Sequence, residues 1–190
     1  MLPERSLVRA GYYRLRYPKA FIGEGVRILG RLKIIGPGHV EIGARCLFWD
    51  ATLHTATPEA RITIGQDCML NGPTIQANES VTIGDRCEIA DARILDTDFH
   101  SMQRSPRGEV KTAPVRIGDD VWLSGRTAVL RGSVVGDRTV VGFNAVVCGT
   151  IAADQVVLPT RSVAAPKAQA ALLPTEPTYF NAESDAPQPA

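Results

Sequence analysis

Residues 117–152 read IGDDVWLSGRTAVLRGSVVGDRTVVGFNAVVCGTIA and divide without remainder into blocks of six. Every block opens on an aliphatic residue: Ile117, Leu123, Val129, Val135, Val141 and Val147. Its fifth place holds Val121, Thr127, Ser133, Thr139, Ala145 or Ile151, mostly small or β-branched. A helix repeats near 3.6 residues and a half-buried strand near two, so neither produces a strict six. A β-solenoid does, because one short strand and one corner make a unit and three units close a triangular coil. The aliphatic place points into the prism and the small one packs beside the corner. Gly132, Gly136, Gly142 and Gly149 fall between them, where corners are expected to require backbone freedom.

The unit recurs upstream with insertions. Ile22-Gly23, Ile42-Gly43, Ile64-Gly65, Ile83-Gly84, Ile117-Gly118 and Val135-Gly136 are equivalent anchors, followed four residues on by Val26, Cys46, Cys68, Cys87, Val121 and Thr139. Successive anchors stand 20, 22, 19, 34 and 18 residues apart, one 18-residue coil plus an excess that is large only once. The chain therefore predicts about six or seven stacked coils over residues 22–158, with one long loop at about 98–114. At about 4.8 Å between neighbouring strands the prism is on the order of 30 Å tall. Residues 1–21 form an N-terminal cap segment and residues 159–190 a C-terminal tail.

Composition narrows the function classes. A formal charge of +1 gives no reason to expect nucleic-acid binding. Cys46, Cys68 and Cys87 share one inward repeat position and read as small core residues stacked at one corner, not as metal ligands, since no CxxC spacing occurs. Cys148 adjoins an anchor and should face outward. Reduced thiols suit a cytoplasmic protein, no run approaches a membrane span, and the start MLPERSLVRAG lacks a signal-peptide core. Residues 1–21 carry Arg5, Arg9, Arg14, Arg16 and Lys19 against Glu4, interleaved with Tyr12, Tyr13 and Tyr17. They cover the first coil, and a peripheral contact with anionic lipid or glycan is compatible with that.

The long loop holds the candidate chemistry. Asp96, Asp98 and His100 alternate, so in an extended segment they project to one side. A carboxylate beside an imidazole fixes its tautomer and raises its basicity, as a general base requires. Trp122 falls outside the inward pattern, either an interface plug or a flat platform beside a site with one N–H to donate, and Asn71 should point outward, either simply solvated or with its amide on a substrate hydroxyl. His39 and His54 read as exposed loop histidines on different coils. From about Ala165 the chain is rich in Pro, Ala, Ser and acid, the composition of a loosely docked tail.

The hexads together with DTDFH (96–100), GEVKTAP (108–114) and VRIGDDVWLSG (115–125) resemble the hexapeptide-repeat acyltransferases, in particular the maltose, galactoside and polysaccharide O-acetyltransferases. The resemblance implies an all-β, left-handed parallel β-helix with one long active-site loop, assembled as a homotrimer with sites between neighbouring prisms. It implies acetyl-CoA as co-substrate, no metal, and an acceptor that is a sugar, nucleotide-sugar or glycan hydroxyl. Carried over by motif, His100 is the general base, with Asp96 or Asp98 orienting it. Trp122 lines the cleft; Glu109 and Asn71 stand near the acceptor. Ser124, Gly125, Gly142 and Phe143 lie along the pantetheine arm, whose amides suit backbone N–H and C=O partners, and Arg161 or Lys167 meets the nucleotide phosphates. Two segments depart from the family pattern: GFNAVV (142–147) places bulky Phe143 where a small residue is usual, and LPTRSV (158–163) replaces the terminal signature. Arg104, Arg107 and Lys111 read either as solvated loop charges or as a pointer to an acidic sugar or nucleotide-sugar acceptor. Two other readings of the solenoid are a non-catalytic trimeric scaffold and a zinc enzyme resembling the γ-type carbonic anhydrases, which needs three converging histidines.

Overall fold

The computed structural model describes residues 3–99 and 110–159, with side chains from Ala10 onward. It is a parallel β-solenoid of about seven turns. Wall one stacks β1 (Ala20–Ile22), β3 (His39–Ile42), β5 (Arg61–Ile64), β8 (Ser80–Ile83), β11 (Val115–Ile117), β14 (Val134–Val135) and β17 (Thr150–Ile151) in that order. Wall two stacks the first half of β4 (Leu47–Thr55) with β6 (Met69–Asn71), β9 (Glu88–Ala90), β12 (Trp122–Leu123), β15 (Val140–Val141) and β18 (Val156–Val157). Wall three stacks the second half of β4 with β7 (Thr74–Ala77), β10 (Arg93–Leu95), β13 (Ala128–Val129) and β16 (Val146–Val147). Strand β2 (Arg27–Ile35) pairs with β4 along its length and turns the same corner, with a register shift between Ile28 and Arg31.

Both hexad positions are inside, as their side-chain types require. Ile117, Leu123, Val129, Val135, Val141 and Val147 are all buried, and so are Val121, Thr127, Ser133, Thr139, Ala145 and Ile151. Burying this much aliphatic surface in a narrow prism is the main stabilising term. The polar members are served by the next coil: Ser133 Oγ donates to the Val147 carbonyl at 3.2 Å and Thr139 Oγ1 to the Ala152 carbonyl at 3.0 Å. Thr127 Oγ1 has no such partner.

The cysteines fall where the repeat puts them. Cys46, Cys68 and Cys87 are buried, and each Sγ–H donates to a glycine carbonyl one coil on (Gly65, Gly84 and Gly118) at 3.0, 3.1 and 3.1 Å. Contact with Cys68 and burial hold the thiols of Cys46 and Cys87 above their ordinary range. Cys148 is exposed.

The anchor glycines require a correction. Of the four corner glycines in 117–152, Gly132 and Gly149 do adopt positive φ (74° and 108°). Gly136 does not; it is glycine because a Cβ there would come within 2.3 Å of the Ala153 backbone nitrogen. Gly142 is crowded more mildly, at 3.1 Å from the Val157 carbonyl oxygen. The same crowding recurs at Gly23, Gly43, Gly84 and Gly118, so the Ile-Gly anchor marks close approach between coils.

The left-handed conformation between walls one and two falls two residues past each anchor glycine, and at the last coil two past Ala152. Gly25, Arg45, Asp67, Arg86, Asp120, Arg138 and Asp154 all have φ between 56° and 70°. Their signs alternate up the corner. Arg45 pairs with Asp67 at 2.5 Å, Arg86 with Asp120 at 2.7 Å and Arg138 with Asp154 at 2.6 Å. Hydrogen bonding to those guanidiniums holds the carboxyls of Asp67, Asp120 and Asp154 below the usual carboxylate range.

Helix α1 (Pro3–Arg16) lies against β1 and β2. Its own Ala10 is buried, Tyr13 Oη accepts the Leu32 N–H at 3.2 Å, and Arg14 donates to the Ile22 and Gly23 carbonyls at 2.9 and 2.6 Å. These two carbonyls lie at and just past the end of the outermost strand of wall one, so the guanidinium occupies acceptors that no further strand reaches. Among the described residues, no helix is long and apolar enough to cross a membrane.

Candidate active site

The long loop leaves the prism where wall three would turn into wall one, between Leu95 of β10 and Val115 of β11. Its two ends pair in antiparallel fashion. Thr97 bridges Thr112, the Asp98 N–H donates to the Lys111 carbonyl at 3.1 Å, and the Ala113 N–H donates to the Asp96 carbonyl at 3.0 Å. His100 and Glu109 lie outside the described residues, as do Arg104, Arg107, Arg161 and Lys167.

The alternating acids do not project together. Asp96 is fully buried, its Oδ1 accepting the Asn78 N–H and its Oδ2 the Glu79 N–H, each at 2.7 Å. Burial pushes its carboxyl up, against the pull of those N–H donors. Asp98 is half-buried and pairs with Arg131 Nε at 2.5 Å. At Phe99 the chain swings to φ 61°, with its N–H on Thr97 Oγ1 at 3.2 Å. The segment is therefore not extended, because Asp96 serves the turn one coil below while Asp98 serves an arginine one coil above.

Asn71 and Trp122 both project from wall two. Trp122 is 48% exposed, flanked on its row by Glu88 and Val140. Asn71 is exposed beside Ala90. Wall two is opposite the edge from which the loop leaves, so one chain does not bring these residues to the loop neck.

On the upper part of wall two and the corner beyond it, Ser124, Gly125, Gly142 and Phe143 do sit together. A Cβ on Gly125 would be 3.2 Å from two Phe143 ring carbons, and the Arg126 guanidinium lies 5.8 Å from the ring centroid. The backbone N–H groups expected to face an amide-like arm are largely spent. Ser124 donates to Val141, Gly142 to Val157 and Asn144 to Gly125, at 2.9, 2.7 and 3.0 Å. Van der Waals contact with Gly125, Gly142 and the Phe143 ring is what this surface offers such an arm.

His39 opens β3 on wall one and His54 lies within β4 on wall three, so they share a coil but face different ways. Their sequence positions suggested different coils; the length of β4, which spans two walls, puts them in one. Among the described residues, no three His, Cys, Asp or Glu side chains gather as a metal site would need.

Sequence reasoning passed over Arg131, the partner of Asp98 from 33 residues away, and Trp49, which is 41% exposed. Trp49 follows Phe48 as Asn71 follows Leu70, and Phe48 pairs with Leu70. The outward row on wall two therefore runs Trp49, Asn71, Ala90. Only strand register reveals it.

Comparison with known proteins agrees with this architecture. Two solved structures superpose over most of the chain. The N-acyltransferase AntD from Bacillus cereus, in complex with dTDP and 3-hydroxybutyryl-CoA, gives a TM-score of 0.64 at 20% identity over 85% of this chain and 92% of that one. A hexapeptide-repeat-containing acetyltransferase from Vibrio cholerae, complexed with acetyl-CoA, gives 0.53 at 21% identity over 78% and 71%. The chain has the hexapeptide-repeat acetyltransferase fold. Its curated relatives are acetyltransferases as well. A probable acetyltransferase of Mycobacterium tuberculosis is 31% identical over 137 residues, 69% of this chain and 44% of its own length. The galactoside O-acetyltransferase of Escherichia coli is 32% identical over 91 residues, 46% of this chain and 45% of its own. The chain thus spans less than half the length of these curated relatives. No protein-family model matches it.

Proposed function

We propose that this protein transfers an acetyl group from acetyl-CoA to a hydroxyl of a sugar, nucleotide-sugar or glycan, within a homotrimer. The observation that carries the reading is the separation of the loop neck from wall two. The loop bearing His100 leaves one edge of the prism, while Trp122 and Asn71 stand on the wall opposite. Packing three prisms side by side sets one copy's loop against another's wall. Asp98 and Arg131 then tether the loop to the coil above, and the buried Asp96 carboxylate ties its root to the coil below.

In this reading His100 takes the proton from the acceptor hydroxyl as that oxygen attacks the thioester carbonyl. The tetrahedral intermediate collapses with loss of the CoA sulfur, and the imidazolium returns the proton to it, releasing CoA as a thiol. No acyl-enzyme forms. Ser124, Gly125, Gly142 and Phe143 flank the pantetheine arm by contact, Trp122 lines the cleft, and Asn71 and Glu109 hold the acceptor. Arg161 meets the donor's phosphates.

The test is turnover of acetyl-CoA with a panel of sugars, beside sedimentation to obtain the mass of the assembly. His100→Ala should cut turnover by about 10² to 10⁴ with the fold intact. Near-wild-type turnover, or a monomer that is fully active, overturns the mechanism. A well-folded trimer that binds no acetyl-CoA favours the scaffold reading instead, with Phe143 against Gly125 closing the donor surface.

A further inference from the structure

A groove with an unassigned lining opens at the corner between walls two and three, beside Asn71. It has a volume of about 330 Å³ and is bordered by Arg31, Lys33, Asp50, Thr52, Gly72 and Pro73. That volume falls at the lower end of the range small-molecule pockets occupy. Arg31 and Lys33 are alternate residues of β2, opposite Asp50 and Thr52 of β4, and both are exposed. Among the described residues neither is in an ion pair of 4.0 Å or less. The lining's one carboxylate, Asp50, already accepts the Arg31 backbone N–H at 2.8 Å through Oδ1. The outward row from Lys33 continues through Thr52 and Thr74 to a third exposed cation, Arg93.

Two further features bear on the ligand. Gly72 carries no side chain and Ala51 only a methyl, so this part of the lining is low and a flat group can approach it. Trp49 is not part of the lining, but it precedes the lining residue Asp50 in β4 and is outward and 41% exposed, in the same row as Asn71. Cations that take phosphate oxygens, next to an exposed indole that stacks on a base, are the chemistry of nucleotide recognition.

We infer that this groove binds the nucleoside diphosphate part of the acceptor, with phosphates on Arg31 and Lys33 and the base on Trp49. The proposal rests on the acetyltransferase reading and narrows its acceptor to a nucleotide-linked sugar. The sugar then runs along wall two past Asn71 toward Trp122. The surface assigned to the donor lies higher on the prism, at Ser124 to Phe143, so the two nucleotides of a ternary complex occupy different places.

Calorimetry of the intact protein with thymidine diphosphate, inorganic pyrophosphate and a neutral monosaccharide tests this, each titration repeated in saturating CoA. Thymidine diphosphate should bind, tighter than pyrophosphate, and equally well with CoA present. Arg31→Ala/Lys33→Ala should weaken it about tenfold or more. Lys33→Glu provides a second variant with β2 otherwise untouched. The chain has two tryptophans, so in a Trp122→Phe background Trp49 reports alone, and its fluorescence should quench saturably. Displacement of thymidine diphosphate by CoA would assign it to the donor site and overturn the inference. Equal affinity for pyrophosphate would remove Trp49 from it, and unchanged binding in both variants would refute it. Turnover of neutral sugars without any nucleotide binding sinks this proposal and leaves the acetyltransferase reading standing. Nucleotide binding without acetyl transfer leaves the nucleotide site standing but sinks the acetyltransferase reading, and with it the assignment of that nucleotide to an acceptor.

Discussion

Replacing Asp96 with alanine probes the root of the long loop. The native carboxylate is fully buried and accepts two backbone N–H groups at 2.7 Å. Alanine leaves the Asn78 and Glu79 N–H groups, both in part-buried hydrogen bonds, without that partner, and an orphan of this kind costs up to about 1–3 kcal/mol. Burial opposes the ionised carboxylate to begin with, which offsets part of the loss. A net destabilisation of about 3 kcal/mol is expected, read as a lower urea midpoint at unchanged slope. Asp96→Asn retains one acceptor and turns an NH₂ toward the second N–H, so it should lose roughly half as much. The pH profile adds a second readout. The folded-state pKa of Asp96 is raised above 3.8, so the folded protein holds this proton more tightly than the unfolded chain does. Its contribution to stability therefore falls as pH rises from about 3.8 through the folded pKa, and Asp96→Ala should abolish that slope. An alanine variant within about 0.5 kcal/mol of wild type would refute the account of Asp96 as the tie between loop and coil.

Other outcomes follow from the same geometry. Gly125→Ala sets a methyl 3.2 Å from the Phe143 ring; it should weaken acetyl-CoA binding by calorimetry about tenfold with the unfolding midpoint little changed, and unaltered binding would move the donor site elsewhere. A thiol reagent should label Cys148 at once and Cys46, Cys68 and Cys87 only on unfolding; prompt labelling of more than one thiol contradicts the stacked, buried arrangement. The Asp67, Asp120 and Asp154 carboxyls have lowered folded pKa values, so their stabilisation is present above about 3.8 and lost as pH falls below it. Asp120→Asn should flatten the acid limb of the stability curve, and an unchanged limb would mean that the corner pairs contribute nothing.

The solenoid was legible because its constraint is local and repeated. One inward aliphatic every six residues survives any insertion between coils, and the one large insertion announced itself as excess spacing. The roles of individual acids were not legible. Asp96 and Asp98 are two residues apart and alternate, yet one answers a turn 18 residues earlier and the other an arginine 33 residues later. The glycines were misread for a related reason. Sequence shows that a position is glycine but not whether φ or a neighbouring coil demands it, and at Gly136 it is the coil. Trp49 and the Arg31–Lys33 groove escaped notice because their neighbours are set by the register between β2, β4 and β6.

The corner of Arg45, Asp67, Arg86, Asp120, Arg138 and Asp154 carries a parity of charge from coil to coil. Every coil presents much the same hydrophobic section to its neighbours, so burial alone scarcely distinguishes the correct next coil from the one after it. Charge does. Correct stacking sets each arginine beside an aspartate, whereas skipping one coil would set Arg45 on Arg86 and Asp67 on Asp120. Each exposed pair adds little to the finished stack. Like charges brought together in a wrong one would be penalised at every step, so the charge pattern of the corner disfavours a coil stacked out of turn.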